Sequence, residues 1–232
     1  MNAATVHIMK ANDLFIQNVL TIYRNKNASS TSSDCIKVEK SFLIKFAKQY
    51  LEEYIMNLME IIQKRQSVRK YKDAPVETEK IMQCIDAARL APSANNAQEW
   101  KFVVVQKPEL LKEVQSAAAF MGMNGFAKGV PAFVAVVTEK TKAINNVDIV
   151  LHGKDYKQMD IGLAIANFCL RAADLGLGTC IMGWFNEGKI KKLLQVPRGR
   201  KIWLMLAVGY PDDVQREKSR KSLKEISSVD KY

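Results

Sequence analysis

Histidine is almost absent: the 232-residue chain holds only His7 and His152. A histidine-rich metal site, and most arrangements that use histidine as a catalytic base, are therefore disfavoured. The four cysteines, Cys35, Cys84, Cys169 and Cys180, are scattered and form no C-x-x-C pair. That spacing argues against a zinc ribbon, a ferredoxin-type cluster and a thioredoxin motif. Four thiols in so long a chain do not make a disulfide scaffold, so a reducing compartment, the cytoplasm, is expected. Long apolar runs are missing too. The longest, Ala132 to Val137 and Ile202 to Val208, are strand-sized, well short of the roughly 20 residues a membrane span needs. No membrane partner is expected.

Acids are in short supply as well. Asp and Glu number 24 against 35 Lys and Arg, giving a net charge of +11 and a pI near 9.4. Such a balance suits phosphate-bearing partners: nucleic acid, an acidic membrane surface or a phosphorylated cofactor. The basic residues are spread along the chain, with no stripe and no reader motif, so no nucleic-acid partner is expected. With 48% hydrophobic and 25% charged residues, the composition is that of a globular protein of one or two domains.

The composition shifts near residue 56. Asn25 to Asp34 (NKNASSTSSD) reads as a flexible linker after a short mixed segment, Val6 to Tyr23. Ile36 to Ile62 has the pattern of one long amphipathic helix. The first segment is poor in acids but holds few basic residues and no small-residue cleavage site, so targeting is a weaker reading than an appended arm or a start upstream of Met56 or Met59. The expected division is 1–55, an N-terminal extension, and 56–232, the working domain.

From Met56 on the pattern is regular. Ile81, Met82, Ile85 and Ala88 follow helical spacing up to Pro92, and Pro108 to Ala119 reads as a second helix with proline near its start. Asp160 to Leu175 carries one wide apolar face, with Gly176 where a glycine cap belongs. Strands are expected at Lys101 to Gln106, Ala132 to Thr138, Thr179 to Trp184 and Lys201 to Gly209, with a short helix from Asn186. Helices and strands mix without strict βαβ alternation, which favours an α+β fold. No internal repeat is present.

Four separated segments suit an anionic, flat ligand. In Arg65-Gln-Ser-Val-Arg-Lys-Tyr71 the alternation of Arg65, Ser67 and Arg69 puts two guanidiniums and a hydroxyl on one side of an extended chain, as a phosphate site needs. Basic residues that end a helix also complement its dipole, so the segment alone decides little. Ala91-Pro-Ser-Ala-Asn-Asn-Ala-Gln-Glu-Trp100 adds three amides before a strand, and amides both donate to and accept from a heteroaromatic edge. Leu175-Gly-Leu-Gly-Thr-Cys-Ile-Met-Gly-Trp-Phe185 fails as a nucleotide fingerprint because its helix precedes the glycines. Its glycines read instead as a tight helix-to-strand turn, with Gly183 open to close approach by a ligand, and Cys180 reads as a small buried residue. Gly209-Tyr-Pro…Lys218-Ser-Arg220 follows the last strand and taken alone is a solvated tail.

The order of the four is more specific than any one. Arg-x-Ser-x-Arg, Ala-Pro-Ser-x-x-Asn-x-Gln-x-Trp, Leu-Gly-Leu-Gly-x-Cys and Gly-Tyr-Pro…Lys-Ser-Arg resemble the FMN-dependent nitroreductase family over about residues 56–226. The resemblance implies a mainly antiparallel sheet flanked by helices in an intertwined homodimer, with FMN at the interface and a C-terminal arm wrapped on the partner. It implies that Arg65, Ser67, Lys218 and Arg220 hold the FMN phosphate, and that Gln66 and Arg69 lie along the ribityl chain and pyrimidine edge. Pro92, Ser93, Ala94, Asn96 and Gln98 would reach FMN across the interface, and Ile181, Met182, Gly183 and Trp184 would lie against the ring.

The implied reaction is ping-pong hydride transfer from NADH or NADPH through FMN to an electron-poor acceptor such as a nitroaromatic or quinone. No obligatory catalytic side chain and no metal are expected, which agrees with the lack of any nucleophile–base pair, metal cluster or carboxylate dyad. A reductive dehalogenase, an enone reductase and a non-catalytic flavin-binding module remain open as alternatives on the same scaffold. Glu99 stands where the family usually has proline, implying a less rigid or more acidic loop, and residues 1–55 have no counterpart in the family core.

Overall fold

The computed structural model describes residues 58–140 and 155–232. The linker, the expected helix before Leu58, His7, Cys35 and His152 lie outside the described residues. Ala132–Thr138, an unbroken apolar and β-branched run, forms β2, and all seven residues are buried. A strand covered on both faces carries such a run where a half-exposed one would alternate. β1 is Trp100–Val105, β3 Gly178–Met182 and β4 Ile202–Gly209. They assemble in the order β1-β2-β4-β3, and every pair is antiparallel. The sheet is the mainly antiparallel one of an α+β fold.

Helices cover both faces. On one side lie α2 (Thr78–Arg89) and α4 (Lys157–Asp174). Ile81, Cys84 and Ala88 of α2 meet Ile161, Ile165 and Phe168 of α4 over Val134, Val136 and Leu206. Phe168 is fully buried, its ring stacked 6.4 Å from that of Phe102; burying such a side chain contributes roughly 1.5–3 kcal/mol. On the other side α3 (Pro108–Ala118) and α5 (Glu187–Leu193) cover Phe133, Ala135, Met205 and Ala207. α1 (Leu58–Lys64) leads into the core, and α6 (Leu223–Ile226) lies near the C-terminus.

Two joints place the site. α4 begins three residues before the expected Asp160 and ends in a Schellman cap: Gly176 takes φ +75°, its N–H donates to Ala173 O at 3.2 Å, and Leu177 N–H donates to Ala172 O at 2.8 Å. Two residues later a Cβ on Gly178 would stand 2.7 Å from Val68 Cγ2. Glycine is required there for the segment after α1 to lie against β3. Val68 N–H donates to Thr179 O at 2.9 Å, and Ser67 forms a parallel bridge with Thr179.

Candidate functional site

The segment Arg65–Lys72 leaves α1 and runs extended past the edge of β3, with Val68 buried and Arg69 exposed. Tyr71 anchors it from below: its hydroxyl donates to Val68 O at 2.7 Å, and burial pushes its pKa well up. The chain that leaves β4 returns alongside as a strap. Lys72 N–H donates to Tyr210 O at 2.9 Å, Asp212 N–H to Lys70 O at 2.9 Å, and Arg69 N–H to the Asp213 carboxylate at 2.8 Å. Further on, Gln66 Nε2 donates to Val214 O at 3.0 Å and its Oε1 accepts from Arg216 N–H at 3.0 Å. The Arg216 guanidinium donates to Ser67 O, and Lys218 Nζ donates to Arg65 O. The first and fourth motifs are thus sewn together, and the charged tail is a strap up to Lys218.

The charges of this seam are lopsided. Among the described residues, Arg65, Arg69, Arg216, Lys218 and Arg220 form no ion pair with a carboxylate. Lys218 has its pKa lowered, first by burial and then by the positive charges of Arg65 and Arg220. Burial raises the Cys180 thiol, and the charges of Arg69 and Arg216 pull it partly back. Arg65 and Arg220 thus act on Lys218, and Arg69 and Arg216 on Cys180. Arg65 lines a cavity of about 100 Å³ with Val68, Cys169, Gly178 and Thr179. Beside it Arg216 and Lys218 border an open hollow of about 710 Å³. Asp213 and Glu60 also line these hollows, yet neither forms an ion pair with these cations, and like charges so placed are stabilised by an anion able to accept several charge-assisted hydrogen bonds.

The third motif stands at the end of β3. Strand alternation turns Ile181 outward, 48% exposed, and buries the side chain of Met182. Only the backbone of Met182 is left to face a ligand. Gly183 is exposed, and a Cβ there would meet only Leu204 Cδ2 at 3.8 Å, an ordinary contact. The fold does not itself need this glycine, and the space beside its backbone is open. Trp184 is 53% exposed. The Cys180 thiol is buried and pushed above its usual pKa, as a small core residue would be.

The second motif is a separate, strained loop. Asn95, Asn96 and Gln98 all have φ near +50°. The loop is closed by Gln98 N–H donating to Ser93 Oγ at 3.0 Å and by Gln98 Nε2 donating to Asn96 Oδ1 at 2.8 Å. Ala94 N–H donates to Oδ2 of Asp160 at 3.0 Å, and Asp160 is a buried acid in the first turn of α4. Pro92 is exposed. Glu99 does not add surface acidity: it is 1% exposed, with Oε1 lacking a hydrogen-bond partner among the described residues. The cavities beside Arg65 and Lys218 include neither Pro92–Gln98 nor Ile181–Trp184. Arg220 is exposed and donates to the neighbouring Ser219 O, so it joins the cluster through its charge on Lys218 and not through a shared cavity.

The fold agrees with the comparisons. The profile described as the nitroreductase family matches residues 62–210. The chain belongs to the nitroreductase family. A protein of Archaeoglobus fulgidus named as an NADH dehydrogenase/NAD(P)H nitroreductase is 30% identical over 67% of this chain and 86% of its own length. An FMN reductase [NAD(P)H] of Bacillus subtilis is 27% identical over 72% and 70%. Among solved structures, an FMN-dependent nitroreductase of Clostridium difficile superposes with a TM-score of 0.59 at 27% identity, covering 74% of this chain and 98% of its own.

Arg216 and Asp160 are the residues of this candidate site that motif reading misses. Arg216 binds a backbone carbonyl, and Asp160 a backbone N–H, so neither leaves a side-chain pattern in sequence. Arg216→Ala removes the guanidinium bonds to Ser67 and Gln66. Residues 214–220 are then expected to be cleaved at least about tenfold faster in limited proteolysis, since each hydrogen bond to a charged group contributes roughly 1.5 kcal/mol or more. The melting temperature should move little because no core contact is lost.

Proposed function

We propose that the chain is an NAD(P)H-dependent oxidoreductase that holds FMN between two copies of itself. The observation that carries the reading is Lys218, bonded to the Arg65 carbonyl beside the charges of Arg65 and Arg220 and in no ion pair with a described carboxylate. Arg65, Ser67, Lys218 and Arg220 bind the phosphate. Gln66 and Arg69 follow the ribityl chain to the pyrimidine edge, where a guanidinium favours negative charge on the ring. Ile181, Trp184 and the backbone of Met182 and Gly183 lie against the ring. FMN, when bound, supplies hydride chemistry, accepting from NADH or NADPH and passing to an electron-poor acceptor such as a nitroaromatic or quinone. The protein's part is to hold, orient and leave one face open, with no obligatory side chain in the chemistry.

The homodimer is supported from two sides. Pro92–Gln98 are exposed or half-buried and border neither cavity of this chain, so a copy from a partner can complete the site. At the C-terminus Leu223, Ile226, Val229 and Tyr232 are exposed, although a Ser222–Glu225 capping box already shapes α6. An arm with formed structure and unburied apolar side chains suits a partner's surface. The site as read lies wholly within residues 56–232.

The test is an absorbance spectrum of purified protein, repeated anaerobically after adding NADH or NADPH, with mass by light scattering. A yellow dimer bleached by one nucleotide is expected. A protein that stays colourless after FMN is added overturns the reading, and a bound flavin that neither nucleotide bleaches points to a non-catalytic module.

A further inference from the structure

The loop Pro92–Gln98 holds a shape that its own residues do not favour. Asn95, Asn96 and Gln98 are left-handed, and side-chain-bearing residues keep that conformation only where their surroundings enforce it. α4 grips the chain on either side of the loop's entry, with two side chains on one of its faces. Asn167 Nδ2 donates to Ala87 O at 3.3 Å, in the last turn of α2. Asp160 Oδ2 accepts the Ala94 N–H at 3.0 Å, where the left-handed run begins. Seven residues separate the two bonds on α4, and seven on the chain that faces it. Two turns of helix, about 10 Å, therefore fix where the loop starts relative to the exit of α2. Asp160 is 4% exposed and stands in the first turn of α4, where the helix field favours a carboxylate. It borders neither cavity beside the cation cluster.

We propose that Asp160 is a positioning residue for the flavin site of the partner subunit. It touches no ligand; through Ala94 it holds Ser93, Asn96 and Gln98 in the arrangement that meets the flavin bound by the other copy. This rests on the flavin and dimer reading above. The two ends of α4 then serve different sites. Its C-terminal cap and Gly178 seat the segment Arg65–Lys72 of its own subunit, and its first turn shapes the loop offered to the partner.

Asp160→Ala removes the acceptor, and Asp160→Asn keeps an oxygen there without the charge. In the apoprotein, amide hydrogen exchange across residues 92–98 is expected to quicken about tenfold in Asp160→Ala, as the loss of one hydrogen bond to a charged group implies, and less in Asp160→Asn. FMN should leave the Asp160→Ala dimer faster by a similar factor. The deciding measurement is FMN release from a mixed dimer purified on two tags, with Asp160→Ala in one subunit and Arg65→Ala plus Arg220→Ala in the other. A residue that serves the partner's site leaves this dimer one intact site, so a single FMN is retained with the release rate of the unaltered protein. Fast release of all FMN places the effect of Asp160 within its own subunit and overturns the proposal. An unaltered release rate in the Asp160→Ala homodimer overturns it too. If Asp160→Ala fails to fold, Asp160→Asn takes its place in both dimers, and the same outcomes are read on a smaller difference. If the unaltered protein is monomeric or binds no FMN, the reading above falls and the role across the interface with it. Exchange across 92–98 still decides the tie to Ala94, which unchanged exchange in both variants refutes.

Discussion

Arg65→Ala combined with Arg220→Ala is expected to give folded, largely colourless protein. Neither guanidinium belongs to the core, and the bond that ties Arg65 to the strap uses its carbonyl, which alanine retains. What the double variant removes is anion binding. Two charge-assisted hydrogen bonds contribute roughly 1.5–3 kcal/mol each, so FMN affinity should fall by a factor on the order of 10² to 10⁴. Lys218, relieved of two like charges, should hold its proton more tightly, since Arg65 and Arg220 both lower its pKa now. That residual ammonium can retain weak binding, so occupancy is best read from absorbance after dialysis. Full occupancy in the double variant would remove the phosphate assignment.

Gly178→Ala is expected to damage both stability and cofactor retention, whereas Gly183→Ala damages retention alone. A Cβ at 178 stands 2.7, 2.9 and 3.0 Å from three atoms of Val68. Val68 cannot yield without moving Ser67 and the bond from its own N–H to Thr179 O. Overpacking of this kind costs on the order of 1–3 kcal/mol. For a domain of this size that is several degrees of melting temperature, since each kcal/mol corresponds to about 2–4 °C. Val68→Ala in the same chain removes the opposing γ-carbons and should restore part of the loss. At 183 the nearest described atom beyond the flanking residues, Leu204 Cδ2, would lie 3.8 Å from a Cβ, so melting should be unchanged while the spectrum of bound flavin shifts. Equal melting of the two variants would refute the division between a glycine the fold needs and one the ligand needs.

The elements were legible where burial and periodicity agree. β2 reads as a buried strand because all its side chains are apolar or β-branched, and α4 because Ile161, Ala164, Ile165, Phe168 and Ala172 recur on one face. Gly176 announced its cap, since a left-handed φ at a helix end favours glycine. The strand order β1-β2-β4-β3 was not legible, because no local signal records which edges meet. The strap was misread in isolation as a solvated tail: its partners are backbone atoms of Arg65–Lys72, distant in sequence. Met182 belonged to the ring motif by resemblance, yet strand alternation buries its side chain. Glu99 marked a departure from the family, but its burial depends on packing that spacing does not reveal.

The seam between Arg65–Lys72 and the strap also has a consequence for the order of events during folding. Gln66 and Val214 lie 148 positions apart, and Lys218 and Arg65 lie 153 apart. Contacts of such span repay their loop-closure entropy only after the intervening chain has condensed. β4 must already be seated between β2 and β3 before the strap can return along the extended segment. The cation cluster therefore assembles after the sheet, and during synthesis it does not exist until the chain has emerged past Arg220. A ligand held there cannot serve as a template for the sheet; it arrives at a finished body and locks the two ends of the domain together.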